Sequence, residues 1–164
     1  MKTILTSKNE EIFVDDDTFD QIGHLTWGLN KMGYARHGFR SNGVIKQILL
    51  HRLVLAAPAG VGVDHINGIK TDNQRKNLRF CTAAQNQYNR APTQRGTSIY
   101  KGVSWVTHER VWRAQIKVNR RNIAIGSSSS EVEAAYMYDQ AARTFYGEFA
   151  RCNFPEAPND NIQM

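Results

Sequence analysis

The chain has 164 residues, of which 41% are hydrophobic and 22% are charged, a composition typical of a soluble globular protein. This length suits one ordinary domain or two small ones. The apolar stretch 45–57 is interrupted by Lys46, His51 and Arg52, and it is shorter than the roughly 18 residues that indicate a membrane span. Since a polar segment follows Met1 where a signal peptide would have an apolar core, we expect an intracellular protein.

The charge of the chain favours a polyanionic partner. The net charge is +6 and the sequence pI is about 9.5, which attracts nucleic acid through counterion release. Segment 90–121 contains one acid, Glu109, among the basic residues Arg90, Arg95, Lys101, Arg110, Arg113, Lys117, Arg120 and Arg121. The electrostatic footprint of a nucleic-acid-binding surface is therefore expected in this segment.

Two cysteines, Cys81 and Cys152, lie far apart and show no CxxC spacing. This pattern favours two unpaired thiols over a zinc ribbon or a disulfide framework.

Short strands and turns are predicted over the first half of the chain. Residues 12–14 alternate as a strand, and the acidic run 15–17 precedes a brief helix predicted over 18–25. Aromatic residues and glycines over 27–39 are typical of a small hairpin. Residues 49–57 indicate a helix or a buried strand that ends at Pro58.

A polar stretch containing proline and glycine, 89–96, marks a domain boundary. We predict a first module over 1–92, a linker over 93–96, a second module over 97–155 and a loose tail over 156–164. The second module should hold three strands, a serine-rich turn over 127–130 and an amphipathic helix over 131–146.

A constellation of polar residues follows the predicted strand at Val63. Asp64 and His65 precede an Asn-Gly turn, which would distort the strand enough for both side chains to act together. Residues 78–81 are a plausible return strand, and Thr82 with Gln85 forms a capping box that opens a helix. Asn86 then lies about one turn into that helix and could face Asp64.

Hydrolysis of a phosphodiester requires an activated water and a cation that takes up charge at the phosphorus. A histidine near its ordinary pKa can activate the water. Carboxylate and amide oxygens suit hard Mg²⁺. The residue types around His65 therefore agree with metal-assisted hydrolysis.

The same residues resemble the HNH homing endonucleases of phages, which carry a ββα-metal motif. From His65 there are 12 positions to Asn77 and 21 to Asn86. The resemblance implies that His65 is the general base, that Asp64 and Asn86 bind the catalytic metal, and that Asn77 steadies the loop between the strands. It rests on His51-Arg52-Leu53-Val54, Val63-Asp64-His65-Ile66-Asn67-Gly68, Asp72-Asn73, Asn77-Leu78-Arg79 and Gln85-Asn86.

The sequence leaves two possible roles open for several other residues. His51 and Arg52 either support the structure or contact the substrate. Arg79 and Arg90 either contact phosphate or are solvated, and Asn73 is expected in a turn.

An alternating pattern over 112–118 predicts a strand with one core face and one polar face. The run Tyr100-Lys101-Gly102-Val103-Ser104-Trp105, together with Trp112-Arg113-Ala114-Gln115-Ile116, the helix over 133–142 and Asn153-Phe154-Pro155, resembles the Apetala-2/ethylene-response-factor DNA-binding domain. This resemblance covers 97–155. It departs from the family at Ala124 and Ser104, so sequence preference does not transfer. The implied DNA-facing positions, with the adjacent Arg120, are Lys101, Ser104, Trp105, Arg113, Gln115, Lys117, Arg120 and Asn122.

Taken together, these patterns predict an α+β protein: a ββα-metal (HNH) nuclease module followed by a three-stranded antiparallel sheet packed on one helix. The expected activity is metal-dependent hydrolysis of DNA with one Mg²⁺ or Mn²⁺ per site, and the resemblance to HNH homing endonucleases implies products with 5′-phosphate and 3′-hydroxyl ends. The expected partner is double-stranded DNA, with no membrane or protein partner. The chain would act as a monomer, in the cytoplasm of a bacterial host if a phage encodes it.

Two alternatives remain open from the sequence. One is a DNA-binding regulator that retains the nuclease fold only as a scaffold. The other is an RNA-binding or ribosome-associated protein, which fits the charge but leaves the Asp-His pair unexplained.

Overall fold

A computed structural model describes residues 1–92 and 96–155. The chain forms two compact units, Met1–Gln87 and Tyr88–Met164. Residues 93–95 of the predicted linker and the predicted tail over 156–164 lie outside the described residues, so the predicted boundary stays a prediction. Within the described ranges, no helix combines the length and the apolar character that crossing a membrane requires.

The first unit begins with an antiparallel pair, β1 (Lys2–Leu5) and β2 (Glu11–Val14), followed by helix α1 (Asp16–Ile22). The strand predicted over 12–14 is confirmed. The helix begins and ends earlier than predicted, because Asp16 and Asp17 suit its first turn and the Gly23 amide already closes it on the Phe19 carbonyl, at 2.7 Å.

A second sheet of the first unit has the order β3–β4–β5, from β3 (Gly28–Leu29), β4 (Ala35–Ser41) and β5 (Val44–Leu49). The predicted hairpin over 27–39 is present as β3 and β4. A longer hairpin of β4 and β5, which the sequence analysis missed, follows it. Helix α2 (Leu50–Val54) occupies the segment predicted as helix or buried strand. A core of Ile4, Ile12, Val14, Trp27, Ala35 and Leu50 joins these elements.

The end of the first unit has the predicted ββα order. Strands β6 (Gly62–His65) and β7 (Leu78–Cys81) pair antiparallel, and helix α3 (Ala83–Tyr88) follows, its last residue falling in the second unit. A short 3-10 turn, Arg75–Asn77, leads into β7.

The second unit is a three-stranded antiparallel sheet packed on one helix, as predicted. Strands β8 (Val103–Val106), β9 (Val111–Val118) and β10 (Arg121–Ser128) have the order β10–β9–β8, and α4 spans Glu131–Tyr146. Gly102 has a positive φ of 76°, and a Cβ there would lie 2.0 Å from the Tyr138 ring. Only glycine allows this close approach of β8 to α4.

The buried face of α4 includes an acidic residue, while several of the helix's large apolar residues are exposed. Val132, Tyr136 and Phe145 are exposed, whereas Asp139 is completely buried. The reason is that the Asp139 carboxylate accepts hydrogen bonds from the backbone amides of Asn153 and Phe154, both at 2.8 Å. A carboxylate with several amide donors is stable away from water.

Candidate active site

Asp64 and His65 are the last two residues of β6, and both are buried. The register places Asp64 opposite Arg79 and His65 opposite Leu78. A Cβ at Gly62 would lie 2.7 Å from the Cys81 carbonyl oxygen, so glycine is needed where the two strands begin to pair. The strand ends at His65, as the Asn-Gly turn predicted.

Arg79 forms a buried ion pair with Asp64. The Nε and Nη2 atoms of Arg79 donate to Oδ2 of Asp64 at 3.0 and 2.8 Å, and the two side chains are 12% and 6% exposed. A buried carboxylate is costly without such a partner. The arginine is therefore a fixed neighbour of the predicted metal ligand rather than a solvated residue.

The His65 imidazole lies in an enclosed polar and aromatic setting. Its Nε2 atom is 3.4 Å from Oδ1 of Asn73, whose own Nδ2 donates to the Lys70 carbonyl at 3.4 Å. The ring is 5.8 Å from the Tyr34 ring between centroids. Burial lowers the pKa of His65, while the Asn73 contact and the Asp64 charge oppose this shift.

Asn73 is a residue whose importance the sequence analysis missed, because it was expected in a turn. It is completely buried, and its backbone amide donates to the Phe13 carbonyl at 2.8 Å. Strand β2 therefore fixes the position of the side chain that faces His65.

His51 is the second buried histidine, with its ring 5.2 Å from the His65 ring in an edge-to-face arrangement. Its Nδ1 atom has no hydrogen-bond partner among the described residues. Burial, the neighbouring His65 and Arg52 lower the pKa of His51 to about 4. Arg52 has a structural position, since its guanidinium donates to the carbonyls of Val61 and Pro58 at 2.5 and 2.7 Å.

The loop between β6 and β7 is braced by side-chain amides. Asn77 Oδ1 accepts from the Asn67 amide at 3.0 Å, and Asn77 Nδ2 donates to the Asp72 carbonyl at 2.8 Å. Asn67 Nδ2 also donates to the Asp72 carboxylate, at 2.8 Å. Arg75 ties the same loop to the N-terminal acidic run through Asp15 and Asp17.

Asn86 lies on α3 with its side chain exposed, one turn after Thr82. The predicted capping box is confirmed: the Thr82 amide donates to Gln85 Oε1 at 2.8 Å, and the Gln85 amide donates to Thr82 Oγ1 at 3.2 Å. Among the described residues, no three His, Cys, Asp or Glu side chains are grouped to hold a metal ion. The predicted ligands, one carboxylate and one amide, are a different kind of donor set.

In the second unit, one face of the sheet collects most of the predicted DNA-facing residues. Ser104 pairs with Arg113, and Asn122 pairs with Lys117, so these four share a face with Gln115. Gln115, Lys117 and Asn122 are exposed. Arg113 donates to both carboxylate oxygens of Glu109 at 2.6 Å, and Arg120 is exposed in the β9–β10 turn.

Two predicted contacts do not join this face. Trp105 pairs with Trp112 on the opposite face, and their ring centroids are 5.1 Å apart. The Lys101 ammonium donates to the Tyr88 carbonyl, and burial lowers the pKa of Lys101 to about 8.

Comparison with known proteins shows which families resemble the segment that contains the candidate site. The HNH endonuclease family matches residues 49–88, the segment that holds β6, β7 and α3. An uncharacterized HNH endonuclease of Acanthamoeba polyphaga mimivirus is 29% identical over 147 residues, covering 86% of this chain and 73% of that protein. Segment 49–88, which contains Asp64, His65 and Asn86, is therefore similar to the HNH endonuclease family.

Two further similarities are partial. A dehydration-responsive element-binding protein 2A of Oryza sativa is 43% identical over 63 residues, which is 37% of this chain and 23% of the plant protein. The HNH homing endonuclease I-HmuI, whose structure concerns DNA binding and cleavage, is 28% identical with a TM-score of 0.38. That match covers 54% of this chain and 57% of I-HmuI.

Proposed function

We propose that this chain is a metal-dependent DNA endonuclease in which His65 removes a proton from the water that attacks the scissile phosphorus. The observation that carries this proposal is the buried His65, at the end of a strand inside the segment that the HNH family matches. Its lowered pKa keeps the imidazole neutral near pH 7, which is the form a general base needs.

Asn73 would select the active tautomer of His65. With the Asn73 carbonyl oxygen facing Nε2, the ring hydrogen is favoured on Nε2, and Nδ1 becomes the atom that accepts the proton. Because Asn77 and Asp72 brace the loop that carries Asn73, the imidazole would be held ready before the substrate binds.

Asp64 and Asn86 would hold the divalent ion, and their oxygen donors fit Mg²⁺ or Mn²⁺. When bound, such an ion supplies positive charge to the phosphorane and to the 3′ leaving oxygen. Arg79 fixes the orientation of the Asp64 carboxylate through its two hydrogen bonds.

The basic face of β8–β10 would hold the DNA. The support is the shared face of Arg113, Gln115, Lys117 and Asn122, side chains that contact phosphates and base edges in protein–DNA complexes. The partial similarity to the plant element-binding protein agrees with this assignment.

Plasmid relaxation tests the proposal. We expect the wild-type chain to nick or linearise supercoiled DNA with Mg²⁺ or Mn²⁺, and to lose this activity with a chelator or in His65→Ala. His108→Ala is the matched control, since His108 is 79% exposed in the second unit, and it should retain activity. Activity that survives both the chelator and His65→Ala would refute the proposal.

A further inference from the structure

Asp15 precedes helix α1, where an aspartate commonly caps the helix by accepting a backbone amide of its first turn. Among the described residues, its carboxylate makes no such bond to α1. The Oδ2 atom of Asp15 accepts from the Arg75 backbone amide at 2.8 Å, across 60 positions of sequence. The side chain is 30% exposed, so this bond is partly shielded from water. Asp15 therefore caps a distant segment rather than its own helix.

The capped segment is the 3-10 turn Arg75–Asn77, which leads into β7. The first amides of a helical turn have no acceptor within the turn. Gln74 precedes this turn but makes no side-chain cap within the part of the chain that the structure describes, and its Nε2 atom donates to Asp72 Oδ1 at 2.8 Å. The carboxylate of Asp15 supplies the missing acceptor.

The backbone before Asp15 runs alongside the same loop. The Phe13 amide donates to the Thr71 carbonyl at 2.9 Å, and the Phe13 carbonyl accepts from the Asn73 amide at 2.8 Å, which makes a parallel bridge to the loop. Asp15 follows Phe13 by two residues, and Arg75 follows Asn73 by two. The loop is thus held on both sides of the Asn73 side chain, whose Oδ1 atom is 3.4 Å from Nε2 of His65.

The side chain of Arg75 makes a second kind of contact with the acidic run. Its Nη1 atom is 2.8 Å from the Asp17 carboxylate and 3.7 Å from the Asp15 carboxylate. Arg75 and Asp17 are 46% and 59% exposed, and exposed ion pairs contribute little to stability. A carboxylate that accepts a backbone amide forms a stronger, charge-assisted bond. The backbone bond to Asp15, rather than the ion pair, is therefore expected to fix the turn.

We propose that Asp15 is a positioning residue of the candidate active site, which caps the turn Arg75–Asn77 and thereby keeps Asn73 against the imidazole of His65. This rests on the proposed function in taking His65 as the general base. It assigns to the N-terminal segment a role in the reaction, although Asp15 itself touches neither the substrate nor His65.

The first measurement is the tautomer of His65 in the full chain, from imidazole nitrogen chemical shifts without divalent ion. It is made at about pH 8, well above the ordinary histidine pKa, so the ring is neutral. In the wild type we expect one tautomer, with the hydrogen on Nε2 facing Asn73. Asp15→Ala should give a mixture of the two tautomers. A wild-type mixture, or an unchanged single tautomer in Asp15→Ala, would overturn the proposal.

Two further substitutions separate the hydrogen bond from the charge. Asp15→Asn loses the charge but keeps a side-chain oxygen that can accept the Arg75 amide, so it should retain the wild-type tautomer. Asp16→Ala is the matched control, because Asp16 is exposed, pairs with the Met1 amino group at 2.6 Å and lies one residue further along. A mixture in Asp16→Ala equal to that in Asp15→Ala would show that only general charge matters, against the proposal.

Arg75→Pro removes the donor of the same bond. Gln74 is extended, with ψ of 139°, as a residue before proline should be, and proline suits the first position of a helical turn. Arg75→Pro should give the mixed tautomer, whereas Arg75→Ala keeps the amide and should not. Adding Asp15→Ala to Arg75→Pro should have no further effect. A full additional effect in the double variant would contradict the proposed bond, and a folding defect in one single variant leaves the other to decide.

Plasmid cleavage with Mg²⁺ gives the kinetic readout. Asp15→Ala should lower kcat about tenfold, since the general base is less well oriented, while KM for DNA stays unchanged. Asp15→Asn should restore kcat to near the wild-type value, and Asp16→Ala should have the wild-type kcat. A rise in KM at constant kcat would show that Asp15 contributes to DNA binding and not to positioning.

Failure of this proposal and failure of the proposed nuclease function are distinguishable. The tautomer measurement requires neither DNA nor a divalent ion. A tautomer change in Asp15→Ala with no plasmid cleavage by the wild type would reject the nuclease function alone. Cleavage by the wild type with the same kcat and tautomer in Asp15→Ala would reject only the role of Asp15.

Discussion

The His65 imidazole experiences two opposing influences. Burial disfavours its charged form, whereas Asn73 at Nε2 and the Asp64 carboxylate favour it. Burial has the larger effect, so the pKa of His65 is lowered. A small change in the neighbouring charge should therefore move the pH at which His65 becomes a base.

Asn73→Asp tests this balance. A carboxylate facing Nε2 stabilises the imidazolium, so the acidic limb of the pH–rate profile for kcat/KM should shift upward by about one pH unit. Gln21→Glu adds the same charge at an exposed position on α1 and should leave the limb in place. A limb that stays fixed in Asn73→Asp would contradict the assignment of His65 as general base.

His51 should make stability depend on pH. Its pKa is about 4 in the folded chain and near 6.5 in the unfolded chain. As pH falls below 6.5, the unfolded state binds the proton first, so the free energy of unfolding decreases until about pH 4. Between pH 7 and 5 we expect a loss of about 2 kcal/mol from this residue.

Urea denaturation of His51→Phe measures this contribution. Phenylalanine keeps a ring beside His65 but does not titrate, so the variant should lose about 2 kcal/mol less than the wild type between pH 7 and 5. Parallel losses in the two chains would show that His51 is not buried as a neutral side chain.

The elements that could be predicted are those with a local signal. The capping box of α3 is set by Thr82 and Gln85 alone, and the alternation over 112–118 needs only a sheet with one buried face. The β4–β5 hairpin also has a local signal, Asn42-Gly43 between two strand-like runs. Asp139 could not be placed from its helix, because its partners Asn153 and Phe154 are distant in sequence.

The candidate site likewise combines features that local sequence predicts with contacts between residues distant in sequence. The spacing of Asp64, His65, Asn77 and Asn86 indicated the ββα arrangement. The Asp64–Arg79 ion pair depends on the register between β6 and β7, and the loop between the strands does not specify that register. Likewise, Asn73 faces His65 because β2 holds its backbone, which no local pattern reveals.

Two sets of substitutions on the β8–β10 sheet should change the affinity for DNA in opposite directions. Arg113→Ala combined with Lys117→Ala should weaken duplex binding and flatten its salt dependence by roughly 1.8 in slope. Glu109→Gln should act in the opposite direction, since Arg113 would be released from its ion pair. Fluorescence anisotropy at several salt concentrations measures both effects. An unchanged slope of log affinity against log salt in the double variant would show that this face of the sheet does not contact DNA.

Across the chain, positive charge is concentrated in two regions, each with its own surface. One is the acid-free segment 21–63 in the unit that holds His65, and the other is segment 90–121 in the unit with the sheet. In the proposed function, the first unit carries the chemistry and the sheet of the second unit binds DNA.

The chemistry of the cut ends tests the central claim most directly. Hydrolysis by water at the phosphorus, with the 3′ oxygen leaving, yields 5′-phosphate and 3′-hydroxyl ends. Sequencing and religation of cleaved DNA should therefore find ends that a ligase joins without repair, and only from chains that retain His65. Ends bearing 3′-phosphate, or the same ends produced by His65→Ala, would contradict the account.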